Sequence, residues 1–126
     1  DRADLRAAME NMMFDPAAVT DGMIEGRWEL LAQDGYADYF GTMFGGERQR
    51  YVDAGLVSDD ELAALAGKNV SLIHGTDDKP CPADLTSVKL AERLPHATLE
   101  LIDDCGHNLP REFTDRYVSA ARALFG

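Results

Sequence analysis

An α/β fold with parallel strands is what this sequence predicts, and three observations predict it. Two apolar runs, Val70-Ser71-Leu72-Ile73-His74 and Ala97-Thr98-Leu99-Glu100-Leu101-Ile102, read as strands. Each stops at an abrupt polar loop, Gly75-Thr76-Asp77-Asp78 after the first and Asp103-Asp104-Cys105-Gly106-His107 after the second. Between them a helical stretch, Pro82 to Leu94, is long enough for the crossover that parallel strands require.

The bulk numbers fit a folded domain. At 126 residues, with 45% hydrophobic and 28% charged residues, the chain has ordinary globular values. A formal charge of −11 argues against a nucleic-acid partner, because phosphate-tracking surfaces need clustered Lys and Arg. No apolar run reaches the roughly 18 residues of a membrane-spanning helix, and no signal peptide is visible. Two cysteines are too few for a disulfide framework. Cys81 and Cys105 are expected reduced, in a cytoplasmic protein, and close together, since each lies in or beside one of the two loops.

Taken in order, Asp4 to Met13 carries Leu5, Ala8, Met9, Met12 and Met13 at helical spacing, and Asp15-Pro16 ends the pattern. Thr20 is placed to cap a second helix, with Asp21 in its first turn. The stripe of that helix is Ile24, Arg27, Trp28, Leu31. A guanidinium beside apolar residues either snorkels to water or a nearby Glu, or grips a buried anion with a two-pronged geometry. Asp34 to Gly46 is aromatic and glycine-rich, a short helix or an irregular loop. Arg48-Gln49-Arg50-Tyr51 opens a helical turn toward Leu56. Ser58-Asp59-Asp60-Glu61 matches a capping box before Leu62 and Leu65, and Gly67 ends that helix. Val70 to His74 is nearly apolar on both faces, as in an interior strand, whereas Leu99 and Leu101 alternate with Thr98 and Glu100, as at a sheet edge. A last helix, Glu112 to Leu124, gathers Phe113, Tyr117, Ala121 and Leu124 on one side to cover the sheet.

Two strands cannot make a stable parallel sheet, and residues 1–66 offer no others. The chain also opens at Asp1 with no initiator methionine. Missing sheet is therefore expected from an N-terminal segment outside these residues or from a second copy in a homo-oligomer.

The loops after the two strands carry the candidate chemistry. Open α/β sheets place their sites beyond the carboxyl ends of the strands, where Asp78 and His107 fall. An acid that accepts one imidazole N–H sets the tautomer, and the other nitrogen then takes a proton from a nucleophile. Gly106 suits a sharp turn that aims His107 back over the strand ends. Of the adjacent acids, one forms the turn; Asp77 takes that role if Asp78 is the orienting acid. His74 reads as structural and His96, beside Pro95, as exposed. A competing reading joins Asp77, Asp78, Asp103 and Asp104 as a hard-cation site, but no glycine-rich phosphate loop accompanies them, and no metal or other cofactor is expected.

These motifs resemble the C-terminal part of an α/β-hydrolase-fold enzyme. Leu72-Ile73-His74-Gly75-Thr76-Asp77-Asp78, with Cys81-Pro82 beyond, is similar to the family's acid loop, and Cys105-Gly106-His107 with Glu112 to its histidine loop. Phe14-Asp15, Val19-Thr20 and Glu25-Gly26-Arg27-Trp28-Glu29 resemble the cap signature of the meta-cleavage-product hydrolases, as does Arg48-Gln49-Arg50-Tyr51-Val52-Asp53-Ala54. The resemblance implies a helical cap over residues 1–66 and the end of the core over 67–126. It also implies Asp78 and His107 as catalytic residues, Arg27 as the ligand of a dienoate carboxylate, and Trp28 beside it. The implied reaction is cofactor-free C–C bond hydrolysis of a 2-hydroxy-6-oxo-dienoate. Asn108 departs from the aromatic usual after the histidine, and Ser58, Ser71, Ser87 and Ser119 all lack the Gly-x-Ser-x-Gly context of a nucleophile. The serine is thus expected outside this chain, which alone should be inactive. An esterase of the same fold, or a non-catalytic domain that completes its sheet by oligomerising, are the alternatives.

Overall fold

The computed structural model describes residues 1–125, the side chain of Arg48 excepted. Its first half is helical. Helix α1 (Arg2–Asn11) starts on Asp1, whose carboxylate accepts the amides of Ala3 and Asp4. A 3-10 turn (Pro16–Ala18) follows, capped by Asp15. Helix α2 (Asp21–Leu31) starts where the spacing predicts, with the Thr20 hydroxyl accepting the Met23 amide. Met13, Val19 and Ile24 make a small core with Leu5, Met9 and Met23 around it. Met9 of α1 and Met13 just past its end are thus used for packing, where flexible thioethers fill an uneven space.

Residues 34–46, whose sequence suits a short helix or an irregular loop, contain helix α3 (Tyr36–Phe44). Tyr36, Phe40 and Phe44 follow one another at four-residue spacing, with ring centroids 6.5 and 4.6 Å apart. Helix α4 (Arg48–Ala54) and helix α5 (Asp59–Ala63) complete this half. The capping box at Ser58 forms as predicted: the Ser58 hydroxyl accepts the Glu61 amide, and the Glu61 carboxylate accepts the Ser58 amide. That backbone bond, then the one from the Ser58 hydroxyl, holds the Glu61 carboxyl below its ordinary range. Arg93 ties α5 to the second half, reaching Asp59 at 2.7 Å and the Val57 carbonyl at 3.0 Å.

The second half holds a parallel pair, β1 (Ser71–Gly75) and β2 (Thr98–Ile102), in register from Ser71 opposite Thr98 to Gly75 opposite Ile102. No other strand occurs among the described residues. The crossover helix α6 (Ser87–Arg93) is shorter than the predicted 82–94. Pro80 and Pro82 lack amide donors, and the Thr86 hydroxyl donates to the Pro82 carbonyl at 2.8 Å. Residues 83–86 therefore turn rather than join the helix.

The predicted final helix is two helices, α7 (Leu109–Glu112) and α8 (Thr114–Phe125), broken at Phe113 with φ −133° and ψ 56°. The Thr114 hydroxyl donates to the Pro110 carbonyl at the break. Glu112 consequently ends α7 instead of opening the long helix. Helix α8 packs on the face that carries Ser71 and Ile73, and its Arg116 pairs with Glu100. That face also receives Ile102, which is buried with Cys105 and Leu109. Leu101, expected inside by alternation, is 44% exposed, because among the described residues α8 covers the opposite face. Strand β1 is not yet interior either: Ser71 to His74 are each half-buried.

Candidate functional site

The two loops interlock before any side chain is considered. The Thr76 amide donates to the Ile102 carbonyl and the Asp77 amide to the Cys105 carbonyl, both at 2.9 Å. The turn after β2 places Asp104 at φ 56°, a left-handed conformation that aspartate tolerates. Gly75 is buried here, and a Cβ on it would run into the Cys105 carbonyl. At Gly106 a Cβ would lie 2.6 Å from the Phe14 amide nitrogen and 2.8 Å from the Met12 carbonyl oxygen. Glycine is required at 106 by the close approach of residues 12–14. The predicted reason, backbone freedom for a sharp turn, does not apply, since its φ is not positive.

Asp78 is the buried acid, 6% exposed, and Asp77 is exposed, accepting a bond from the Thr76 hydroxyl. Two donors hold the Asp78 carboxylate, and a third ring nitrogen stands close to it. Oδ1 accepts the Cys81 amide at 2.8 Å, and Oδ2 faces His107 Nδ1 at 2.8 Å and His74 Nε2 at 3.1 Å. A carboxylate only accepts when ionised, so Nδ1 of His107 carries the hydrogen and its Nε2 presents a lone pair. The His107 side chain is 41% exposed, and Nε2 has no partner among the described residues. That nitrogen is available as a proton acceptor at the edge of a cleft of about 240 Å³, lined by His74, Asp78, His107, Leu109, Pro110 and Tyr117. None of Ser58, Ser71, Ser87 and Ser119 lines it.

A second carboxylate holds the histidine loop from below. Glu112 accepts the Gly106 amide at 3.0 Å and the Phe14 amide at 2.7 Å, and the Asn108 amide donates to the Met12 carbonyl. Residues 12–14 and 106–108 are thus stitched together across nearly the whole chain. Neither Glu112 in this role nor His74 beside Asp78 is visible from residue type. The one available signal for His74 is its position four residues before the acid, at the end of the strand.

Arg27 and Trp28 are not brought to this cleft. On α2, Ile24 is buried and Trp28 and Leu31 are half-buried, while Arg27 is exposed, at the rim of the stripe rather than within it. The guanidinium on the Trp28 ring is that of Arg2, 4.7 Å from its centroid and paired with Glu25. His96 is exposed, as expected. The four-aspartate cation site does not assemble, because Asp77, Asp103 and Asp104 are exposed around a single buried Asp78. Cys81 Sγ, an Asp78 oxygen and a His107 nitrogen do lie within 4.8 Å of one another. The Cys81 amide and His107 Nδ1 both hydrogen-bond the Asp78 carboxylate, which draws the three together.

Both cysteines are free. Burial, then the charges of Glu112, Asp78 and Asp77, pushes the Cys105 thiol up to about 11. Unfolding returns it to the ordinary value of 9.0, so above that pH the unfolded chain binds fewer protons than the folded one. Stability should therefore fall as pH rises through the window up to about 11, by roughly 2–3 kcal/mol from this group. Urea melts of wild type and Cys105→Ala across that window check this: the decline flattens in the variant, and equal slopes would contradict it.

No family model matches this sequence. The chain is 32% identical over 117 residues to a 2-hydroxymuconate semialdehyde hydrolase of a Pseudomonas species, a match covering 93% of the chain and 41% of that protein. It is 30% identical over 104 residues to a 2-hydroxy-6-oxo-2,4-heptadienoate hydrolase of Pseudomonas putida, covering 82% of the chain and 37% of the relative. Among solved structures, CumD, a meta-cleavage product hydrolase of Pseudomonas fluorescens, superposes with a TM-score of 0.88 at 30% identity, over 99% of this chain and 45% of that one. The 2-hydroxy-6-oxo-6-phenylhexa-2,4-dienoate hydrolase of a Rhodococcus strain gives 0.81 at 25% identity, over 99% and 44%. The chain spans about two fifths of the length of the curated relatives it matches. No helix among the described residues is long and apolar enough to cross a membrane.

Proposed function

This chain resembles, over nearly all its length, the C-terminal part of the meta-cleavage product hydrolases of the α/β-hydrolase fold, and from that premise we propose that the intact protein hydrolyses a C–C bond of a 2-hydroxy-6-oxo-dienoate. The observation that carries the reading is the buried Asp78 carboxylate 2.8 Å from His107 Nδ1, with Nε2 left open to the cleft. In this reading residues 1–66 are cap and 67–126 the end of the core. A serine outside these residues completes the triad, and this chain alone lacks both nucleophile and oxyanion donors. The protein works in the cytoplasm on a small molecule, without metal or other cofactor, and the rest of its own sheet or a second copy covers β1.

The chemistry follows from one basic nitrogen beside a held acid. The dienol hydroxyl loses its proton and carbon 5 gains one, giving the keto form. Water then adds at the carbon 6 carbonyl, and the C5–C6 bond breaks with its electron pair passing to the five-carbon half. A proton returned to that half gives a 2-hydroxypentadienoate, and the other half leaves as a carboxylic acid. His107 Nε2 moves protons in both stages and Asp78 steadies the imidazolium. Arg27, with Trp28 beside it, is assigned the substrate carboxylate on the family resemblance, since neither lines the cleft among the described residues.

A substrate panel on the intact protein tests this. A dienoate should turn over with a kcat/KM at least about a hundredfold above that of simple aryl esters, a margin of roughly 3 kcal/mol. Faster turnover of the esters would transfer the same triad to the esterase alternative.

A further inference from the structure

We infer that His74 is a positioning residue: by fixing the turn from 78 to 81 it holds Asp78 in place and thereby keeps the catalytic imidazole in its working tautomer. Nε2 of His74 lies 2.8 Å from the Cys81 carbonyl oxygen and 3.1 Å from Asp78 Oδ2. A carbonyl can only accept, so this nitrogen carries the hydrogen and donates it to the Cys81 carbonyl, with the Asp78 carboxylate beside the same N–H. The geometry closes a ring. The Cys81 amide donates to Asp78 Oδ1 while the Cys81 carbonyl accepts from His74, so an imidazole on a strand ties down the residue whose amide holds the acid.

The two histidines differ in how firmly they are seated. The His74 side chain is 15% exposed and projects from β1; that of His107 is 41% exposed and stands on a loop. Oδ2 of Asp78 is therefore referenced to the sheet by His74, and His107 takes its orientation from Oδ2. Without the His74 N–H, the Cys81 carbonyl loses its partner, the turn whose amide holds Oδ1 loosens, and the Nδ1–H of His107 loses a fixed acceptor. Displacements of about 1 Å in such arrangements cost roughly a hundredfold in rate.

This inference rests on the proposed role of the Asp78–His107 pair, but not on the substrate. The test uses the intact protein labelled with 15N-histidine, as wild type, His74→Leu and His74→Gln; a glutamine amide can place an N–H near the position of Nε2. Nitrogen–proton correlations of the rings should show His74 as the Nε2–H tautomer and His107 as the Nδ1–H tautomer in the wild type. In His74→Leu the His107 signature should give way to mixed tautomers, with kcat about 10- to 100-fold lower at nearly unchanged KM. His74→Gln should restore both. A wild-type His74 in the Nδ1–H form would overturn the inference even if His74→Leu fails to fold. So would a His74→Leu protein that keeps both the His107 tautomer and kcat. Cleavage of esters instead of dienoates would change the proposed reaction and leave the role of His74 standing, because the ring signatures need no substrate.

Discussion

Asp78→Asn in the intact protein is expected to lower kcat by about 10³–10⁴-fold with little change in KM, equivalent to roughly 4–5 kcal/mol of transition-state stabilisation. The carboxylate of Asp78 accepts from the Cys81 amide and His107 Nδ1, with His74 Nε2 3.1 Å away, and no other acceptor meets His107 Nδ1 among the described residues. An amide has one accepting oxygen and one donating nitrogen. If its oxygen stays on the Cys81 amide, its NH2 faces two ring nitrogens and favours the His107 tautomer with Nδ1 bare. The hydrogen then sits on Nε2, where the base must be empty. If the amide flips, the buried Cys81 side of the turn loses its acceptor instead. Steady-state kinetics with circular dichroism to verify folding decide the matter; a kcat within tenfold of wild type would remove Asp78 from the catalytic pair.

Glu112→Ala should cost about 3 kcal/mol of stability, through the histidine loop rather than through chemistry. One Glu112 oxygen accepts the Gly106 amide and the other the Phe14 amide. Hydrogen bonds to a charged group contribute about 1.5–3 kcal/mol each, and water can replace part of the more exposed bond to Phe14. The amides of Gly106 and Phe14 cannot find each other as substitutes, since both are donors. Their backbones already approach too closely for a Cβ at Gly106, so separation is the remaining response. Urea unfolding of Glu112→Ala and Glu112→Gln measures this. The glutamine variant should lie between the others, because its amide keeps one acceptor and presents a donor to the second N–H. A loss below about 0.5 kcal/mol for the alanine variant would show that the carboxylate is not what joins these segments.

Much of the arrangement could be read from residue types at fixed spacing. Thr20 and Ser58 mark helix starts because a short hydroxyl side chain satisfies amides that nothing else reaches. The order of strand, crossover and strand followed from two apolar runs too far apart for a hairpin, and it carried Asp78 and His107 to the same sheet end. What stayed hidden depends on partners distant in sequence. Alternation along β2 defines two faces but not which one α8 will cover, so Leu101 lies exposed while Ile102 is buried. The break at Phe113 turns on a Thr114 hydroxyl choosing a carbonyl four residues back, which helical periodicity does not register. Arg27 fits the apolar stripe by count yet lies at its rim. Gly106 matters because residues 12–14 press against it, a contact between opposite ends of the chain.

The most direct measurement is reaction of the intact protein with a fluorophosphonate, followed by peptide mapping, in wild type and His107→Ala. A single serine outside residues 1–126 should be phosphonylated in the wild type, and the alanine variant should react at least a hundredfold more slowly, about 3 kcal/mol, for want of a base. Labelling of Ser58, Ser71, Ser87 or Ser119, or an unchanged rate without the imidazole, would contradict a nucleophile served by Asp78 and His107.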